Sequence, residues 1–139
     1  MTNLQAAVGC AQMDRLPDFV AAKRRIAERY AEAFADLADV SAFPVTPGSN
    51  CWFSGLVLDA GAPVSAAELA SRLNGDGIEA RTFWKPVHLQ APYADAPRTT
   101  MDRCEGLWSR IVTLPCSTNL SEVDQARVIA ATRSALGSA

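Results

Sequence analysis

His88 is the sole imidazole in the chain, so a histidine-assisted nucleophile or general base has to be assembled around it. Its neighbours Val87, Leu89 and Gln90 are apolar or amide. That setting suits a packed, hydrogen-bonded histidine as well as a ligand or catalytic contact. Arg81, Trp84 and Lys85 stand just upstream. A guanidinium fork grips carboxylate or phosphate through paired hydrogen bonds, and an indole offers a flat apolar face, so this group suits an anionic or sugar-like ligand. The plainer reading is a strand-end arginine and a tryptophan that pins a loop.

Other chemistries find little support. Cys10, Cys51, Cys104 and Cys116 stand far apart with no CxxC pair, and one histidine cannot satisfy finger or HExxH spacing, so no metal site is expected. Free, reduced thiols in a cytoplasm are the default. Only Lys23 and Lys85 offer an amine. Lys23 falls in a mixed-charge helical run and Lys85 precedes a proline, and neither setting suggests a Schiff-base residue. Carboxylates such as Glu28, Asp36 and Asp59 fall on helix faces or in turns. Neither GxGxxG nor GxxxxGK[ST] occurs, which removes the dinucleotide and P-loop readings. With 13 Lys+Arg against 15 Asp+Glu the net charge is −2, so no global field favours nucleic acid or an anionic membrane. No window resembles a signal peptide or a membrane span.

The elements that must position these residues can be read from pattern. Residues 4–38 carry helical periodicity in two phases, Leu4, Ala7, Val8, Ala11 and then Phe19, Ile26, Tyr30, Phe34, Leu37. Leu16-Pro17 lies between them, and proline disfavours helical geometry in the residue before it, so two helices are expected to meet there. Trp52 to Leu58 reads as a mostly apolar central strand. Ser65 with Glu68 forms a capping box and Val64 with Leu69 a hydrophobic staple, opening a helix that Gly75 or Gly77 ends. Residues 78–83 alternate as a second strand, and Pro86, Pro92 and Pro97 mark an ordered loop of the kind that often carries function. Residues 100–110 read as a short helix with Met101, Cys104, Leu107 and Trp108 inward. Ile111 to Leu114 reads as a strand, and Ser121 with Asp124 opens a last helix ending at Gly137. The expected fold class is α+β, a small, mostly antiparallel sheet covered by helices, as one domain over residues 1–139 with its sheet-containing part at 50–136.

Three stretches taken together resemble one known family. NLQAAVGCAQMDRLPDFVAAKRRIAERY at 3–30, GIEARTFWKPVHLQAPYADAPR at 77–98 and LPCSTNLSEVDQARVIAA at 114–131 are similar to the C-terminal segment of the DegT/DnrJ/EryC1/StrS nucleotide-sugar aminotransferases. The nearest flavour is the branch acting on amino-dideoxy sugars of the legionaminic acid and perosamine type. The resemblance implies the small domain of a pyridoxal 5′-phosphate enzyme of the aspartate-aminotransferase fold type. It also implies that the Schiff-base lysine, the aspartate at the pyridine nitrogen, the stacking aromatic, most phosphate ligands and an Asn-Tyr-Arg stretch lie upstream of Met1.

On that reading the chain holds no catalytic, cofactor or metal residue and is inactive alone, because transamination needs a lysine amine and a fixed cofactor. By position in the family, the strand-loop junction faces the active-site mouth, which nominates Arg81, Phe83, Trp84 and His88 as substrate contacts. Many relatives carry histidine where Phe83 stands, and His88 has a second reading as a fastener of its loop. The apolar stripe of the opening helix would pack partly on the large domain, so self-association as a C2 dimer through that helix is expected. A separate cofactor-domain chain and a nucleotide sugar are the other expected partners. Two alternatives stay open: a stand-alone dimeric module that binds a nucleotide sugar, and an unrelated small enzyme built on His88 with Cys51 or Cys116.

Overall fold

The computed structural model describes residues 1–137, so the end of the expected 1–139 domain lies outside the described residues. The elements run α1 (Asn3–Ala33), β1 (Val40–Ala42), β2 (Ser54–Leu58), α2 (Ala66–Gly75), β3 (Arg81–Thr82), α3 (Asp102–Leu107), β4 (Ile111–Leu114) and α4 (Glu122–Ala135). Single 3-10 turns occur at Val87–Leu89, Ala91–Tyr93 and Trp108–Arg110. The strands form one sheet in the order β1-β2-β4-β3, antiparallel at each junction. This is the expected α+β architecture.

Alternation along the strands divides the sheet into two faces. Val40, Leu56, Leu58, Val112 and Leu114 point to one of them, and Ile26, Tyr30 and Phe34 of α1, Leu69 and Leu73 of α2 and Val128 of α4 close the core over it. Polar groups tie the helices together inside this layer. The buried Gln125 amide donates to the Ile26 carbonyl at 2.9 Å, and Tyr30 Oη donates to the Pro115 carbonyl at 2.8 Å.

Helix boundaries follow the capping signals. Ser65 Oγ accepts from the Glu68 amide while Glu68 Oε2 accepts from the Ser65 amide, completing the expected box of α2, and Gly77 leaves with φ +72°. The Ser65 amide and hydroxyl hold the Glu68 carboxyl below its ordinary range. Ser121 Oγ accepts from the Asp124 amide and starts α4, and Gly137 follows it at φ +76°.

Four expectations need correction. The opening is one helix of 31 residues with Pro17 inside it. Proline removes the bond to the Met13 carbonyl, but Met13 and Leu16 are exposed, so water can satisfy that carbonyl. The strand expected from Trp52 starts at Ser54, because the Cys51 and Trp52 amides donate to the side chains of Ser49 and Asn50 and Cys51 sits at φ +51°. The strand expected over 78–83 shrinks to Arg81–Thr82. Asn74 takes the place of a partner strand beside Ala80: its Nδ2 donates to the Ala80 carbonyl at 2.8 Å and its Oδ1 accepts from the Ala80 amide. Finally, Cys104 and Leu107 of α3 face outward rather than into the core, since this six-residue helix packs no buried residue. One strand, β1, was not anticipated; it is three residues long and ends just before Phe43-Pro44.

The first half of α1 stands away from the body. From Met1 to Asp18 every residue except Ala6 is exposed, a projection of about 24 Å for the helical part. The accessible surface is 9081 Å², whereas a compact monomer of this mass has about 7,000 Å². No helix among the described residues is long and apolar enough to cross a membrane.

Candidate functional site

The second face of the sheet carries the site. Phe43 continues β1 by donating its amide to the Gly55 carbonyl, and Phe83 continues β3 by donating to the Ile111 carbonyl. Their rings meet at 5.7 Å between centroids. Phe83 then meets Trp84 edge to face at 4.9 Å, Trp84 meets Phe53 at 4.8 Å, and Phe53 stacks on Trp52 at 5.0 Å. Half of the ten Phe, Trp and Tyr residues thus form one connected strip. The two indoles at its outer side remain 69% and 62% exposed, an unusual state for tryptophan unless a flat partner covers it.

Beside the strip lies an open cleft of about 320 Å³, lined by Lys23, Trp52, Phe53, Glu79, Arg81 and the segment from Thr113 to Ser117. Arg81 is fixed by β3 pairing against Thr113, whose hydroxyl donates to the Arg81 carbonyl, and its guanidinium pairs with Glu79. Lys23 reaches the cleft from α1. Its ammonium donates to the Trp52 carbonyl at 2.9 Å and to Cys116 Sγ at 3.5 Å. Two cations and one exposed indole, that of Trp52, therefore share this cleft, the combination that suits a phosphate or carboxylate attached to a flat ring.

Of the nominated residues, Phe83 and Trp84 pack together edge to face, while Arg81 lines the neighbouring cleft, whose lining includes neither ring. His88 joins neither group. Its side chain is 8% exposed, and Nε2 stands 2.9 Å from Glu105 Oε1 on α3. This pair fastens the 3-10 turn at Val87–Leu89 to α3, and His88 lines a second, mostly apolar cleft with Val87, Tyr93, Pro97 and Met101. Trp52, Phe53, Lys23 and Cys116 were not singled out together from the sequence. Trp52 and Phe53 were absorbed into an apolar strand, and an exposed tryptophan cannot be told from a buried one by an apolar run.

Residues 1–133 match the profile of the DegT/DnrJ/EryC1/StrS aminotransferase family. The chain belongs to that family. It is 36% identical to EpsN of Bacillus subtilis over 93% of this chain and 34% of that protein. It is 31% identical to the GDP-perosamine synthase of Caulobacter vibrioides over 94% of this chain and 36% of that protein. The fold superposes on a DegT DnrJ EryC1 StrS aminotransferase from Brucella abortus with a TM-score of 0.81 and 31% identity, over 96% of this chain and 35% of that one. The chain thus spans about a third of the length of these relatives.

Enzymes of this family use pyridoxal phosphate. Toward that cofactor the Arg81 cleft offers one amine, Lys23, and one carboxylate, Glu79. The cofactor's seat needs a lysine amine free to bond the aldehyde and a carboxylate free to hold the ring nitrogen. Lys23 is committed to Trp52 and Cys116, Glu79 is committed to Arg81, and Lys85 is exposed outside the Arg81 cleft.

Proposed function

We propose that this chain is the small domain of a nucleotide-sugar aminotransferase, contributing substrate contacts and performing no transamination by itself. The observation that carries the reading is the aromatic strip from Phe43 to Trp52 with Arg81 at its edge, on the sheet face left uncovered by helices. Arg81 receives a diphosphate or sugar hydroxyl, Trp84 packs on the sugar or the base, and Phe83 holds Trp84 in place. His88 acts through Glu105 as a positioning residue for the loop. Pyridoxal phosphate chemistry belongs to a cofactor domain supplied elsewhere, in the same protein or in a partner chain.

Self-association completes the proposal. Leu4, Val8 and Leu16 are 76%, 55% and 44% exposed along the projecting half of α1. The surplus over a compact monomer's surface is on the order of 2,000 Å², the scale of a stable interface. Two copies pairing α1 about a two-fold axis, or one copy docking on a cofactor domain, would cover it. The protein works in a reducing cytoplasm with its four thiols free.

The test is calorimetric titration of the purified chain with a GDP-sugar and a UDP-sugar, with Arg81→Ala and Trp84→Ala alongside. Weak binding, lost by tenfold or more in each variant, supports the substrate-contact role. Micromolar binding by the chain alone favours the second reading, a stand-alone dimeric nucleotide-sugar module, which the exposed Trp52 indole in the Arg81 cleft also suits. Binding unchanged in both variants contradicts the site.

A further inference from the structure

Lys23 and Cys116 are 93 residues apart in sequence, yet the ammonium nitrogen and the thiol sulfur stand 3.5 Å apart. A single acceptor holds both: the Trp52 carbonyl accepts from Lys23 Nζ at 2.9 Å and from Cys116 Sγ at 3.5 Å. Both side chains are partly exposed and line the Arg81 cleft, so a small reagent in solvent reaches them. Thiol sulfur attacks peroxides to give a sulfenic acid, and a sulfenic acid once formed condenses with a neighbouring nitrogen.

We propose that Cys116 and Lys23 form an oxidation-dependent sulfur–nitrogen cross-link, with a hydroperoxide as the oxidant. Cys116 sulfur attacks one peroxide oxygen and the O–O bond breaks. The sulfur is oxidised by two electrons to sulfenic acid, and the peroxide is reduced, leaving as water when it is hydrogen peroxide. Lys23, having released one proton to water, then gives its nitrogen lone pair to the sulfur. The S–O bond breaks, and the departing hydroxide takes a second amine proton to leave as another water. The sum is thiol plus amine plus hydrogen peroxide giving sulfenamide plus two waters. The bond staples α1 to the connection between β4 and α4, and it removes the Lys23 charge from the cleft. Dithiothreitol reverses it: one thiol attacks the sulfur, releasing the amine and leaving a mixed disulfide on Cys116, and the second thiol then displaces Cys116 as a free thiol and closes the oxidised dithiothreitol ring. The inference stands apart from the nucleotide-sugar reading, because it concerns only these two side chains and their shared carbonyl.

The experiment treats the full chain with hydrogen peroxide and follows intact mass and digested peptides, with and without subsequent dithiothreitol. The expected product has lost two hydrogens, joins the peptides of Lys23 and Cys116, loses the amine reactivity of Lys23 and reverts with dithiothreitol. Lys23→Arg and Cys116→Ser should each abolish it, while exposed Cys10 and Cys104 serve as thiols in the same sample. Oxidation of Cys116 to sulfinic acid with Lys23 still reactive overturns the proposal. So does a linked product that retains an added oxygen, or a link whose yield at Cys116 does not exceed that at Cys10 and Cys104. The wild-type result decides even where a variant fails to fold.

Discussion

The rings of Phe43 and Phe83 lie 5.7 Å apart between centroids, although one follows β1 and the other follows β3, at opposite edges of the four-stranded sheet. Both side chains must lean inward over β2 and β4 to meet, which makes the pair a clasp across the outer face. Trp84 is attached to that clasp through Phe83. The orientation of the exposed indole is thereby tied to the register of the sheet.

The narrowest point under the clasp is Gly55. A Cβ there would stand 2.1 Å from the Val112 carbonyl oxygen, inside the β2–β4 ladder that forms the middle of the sheet. Gly55→Ala is expected to lower stability by about 2 kcal/mol or more, since backbone cannot swing aside as a flexible side chain would. A urea melt checks this; a midpoint equal to the unsubstituted protein's contradicts the packing.

Tyr30 is 1% exposed, and its hydroxyl donates to the Pro115 carbonyl. Burial, with Cys116 nearby, pushes its phenol far above the usual range, so it stays protonated as a donor. Tyr30→Phe leaves the half-buried Pro115 carbonyl without this donor and should cost about 1 kcal/mol. Chemical denaturation of the variant reads this directly, and no change would mean that water replaces the hydroxyl.

Acid dependence follows from the far end of α1. The Arg133 guanidinium beside Asp36 makes two hydrogen bonds to its carboxylate and holds that carboxyl down to about 2. In the unfolded chain an aspartate titrates at about 3.9. The folded value is the lower one, so the pair's contribution is present above about pH 4 and is lost as pH falls through about 2. Asp36 is exposed, which keeps that contribution small. The gap in thermal midpoint between the natural chain and Asp36→Asn should therefore be modest at pH 6, shrink from pH 4 to pH 2 and vanish below; a gap that persists below pH 2 would contradict it.

The projecting helix gives a prediction about assembly. Leu4→Glu combined with Val8→Glu places charge on its exposed apolar stripe, far from the core residues Ile26 and Tyr30. Sedimentation should show the natural chain as a dimer or larger and the double variant shifted to monomer with an unchanged melt. A monomeric natural chain would contradict the dimer.

Much of the architecture was legible because capping chemistry is local. Ser65 with Glu68 and Ser121 with Asp124 mark helix starts by side chains that bond their own backbone, and such signals need no knowledge of the rest of the fold. Short strands lack that advantage. β1 is three residues and β3 is two, and what shortens β3 is the Asn74 amide bonding Ala80, a tertiary arrangement that no periodicity announces. Pro17 misled for a related reason: its penalty depends on whether the orphaned carbonyl can reach water. At the candidate site, Arg81 and Trp84 were nominated by their residue types at a strand-loop junction, and Phe83 only by its position in the family. Lys23, Trp52 and Cys116 were not, since only the packing of α1 beside the end of β4 brings them to the same cleft.

The central claim is that this chain holds substrate-contacting residues and leaves cofactor chemistry to another domain. It is tested most directly by titrating the purified chain with pyridoxal 5′-phosphate, recording absorbance between about 300 and 500 nm, the range in which lysine adducts of this cofactor absorb. Borohydride reduction and peptide mass analysis would follow. The account predicts no saturable band and only scattered, substoichiometric adducts. A saturable band trapped near stoichiometry on Lys23 or Lys85 would contradict it.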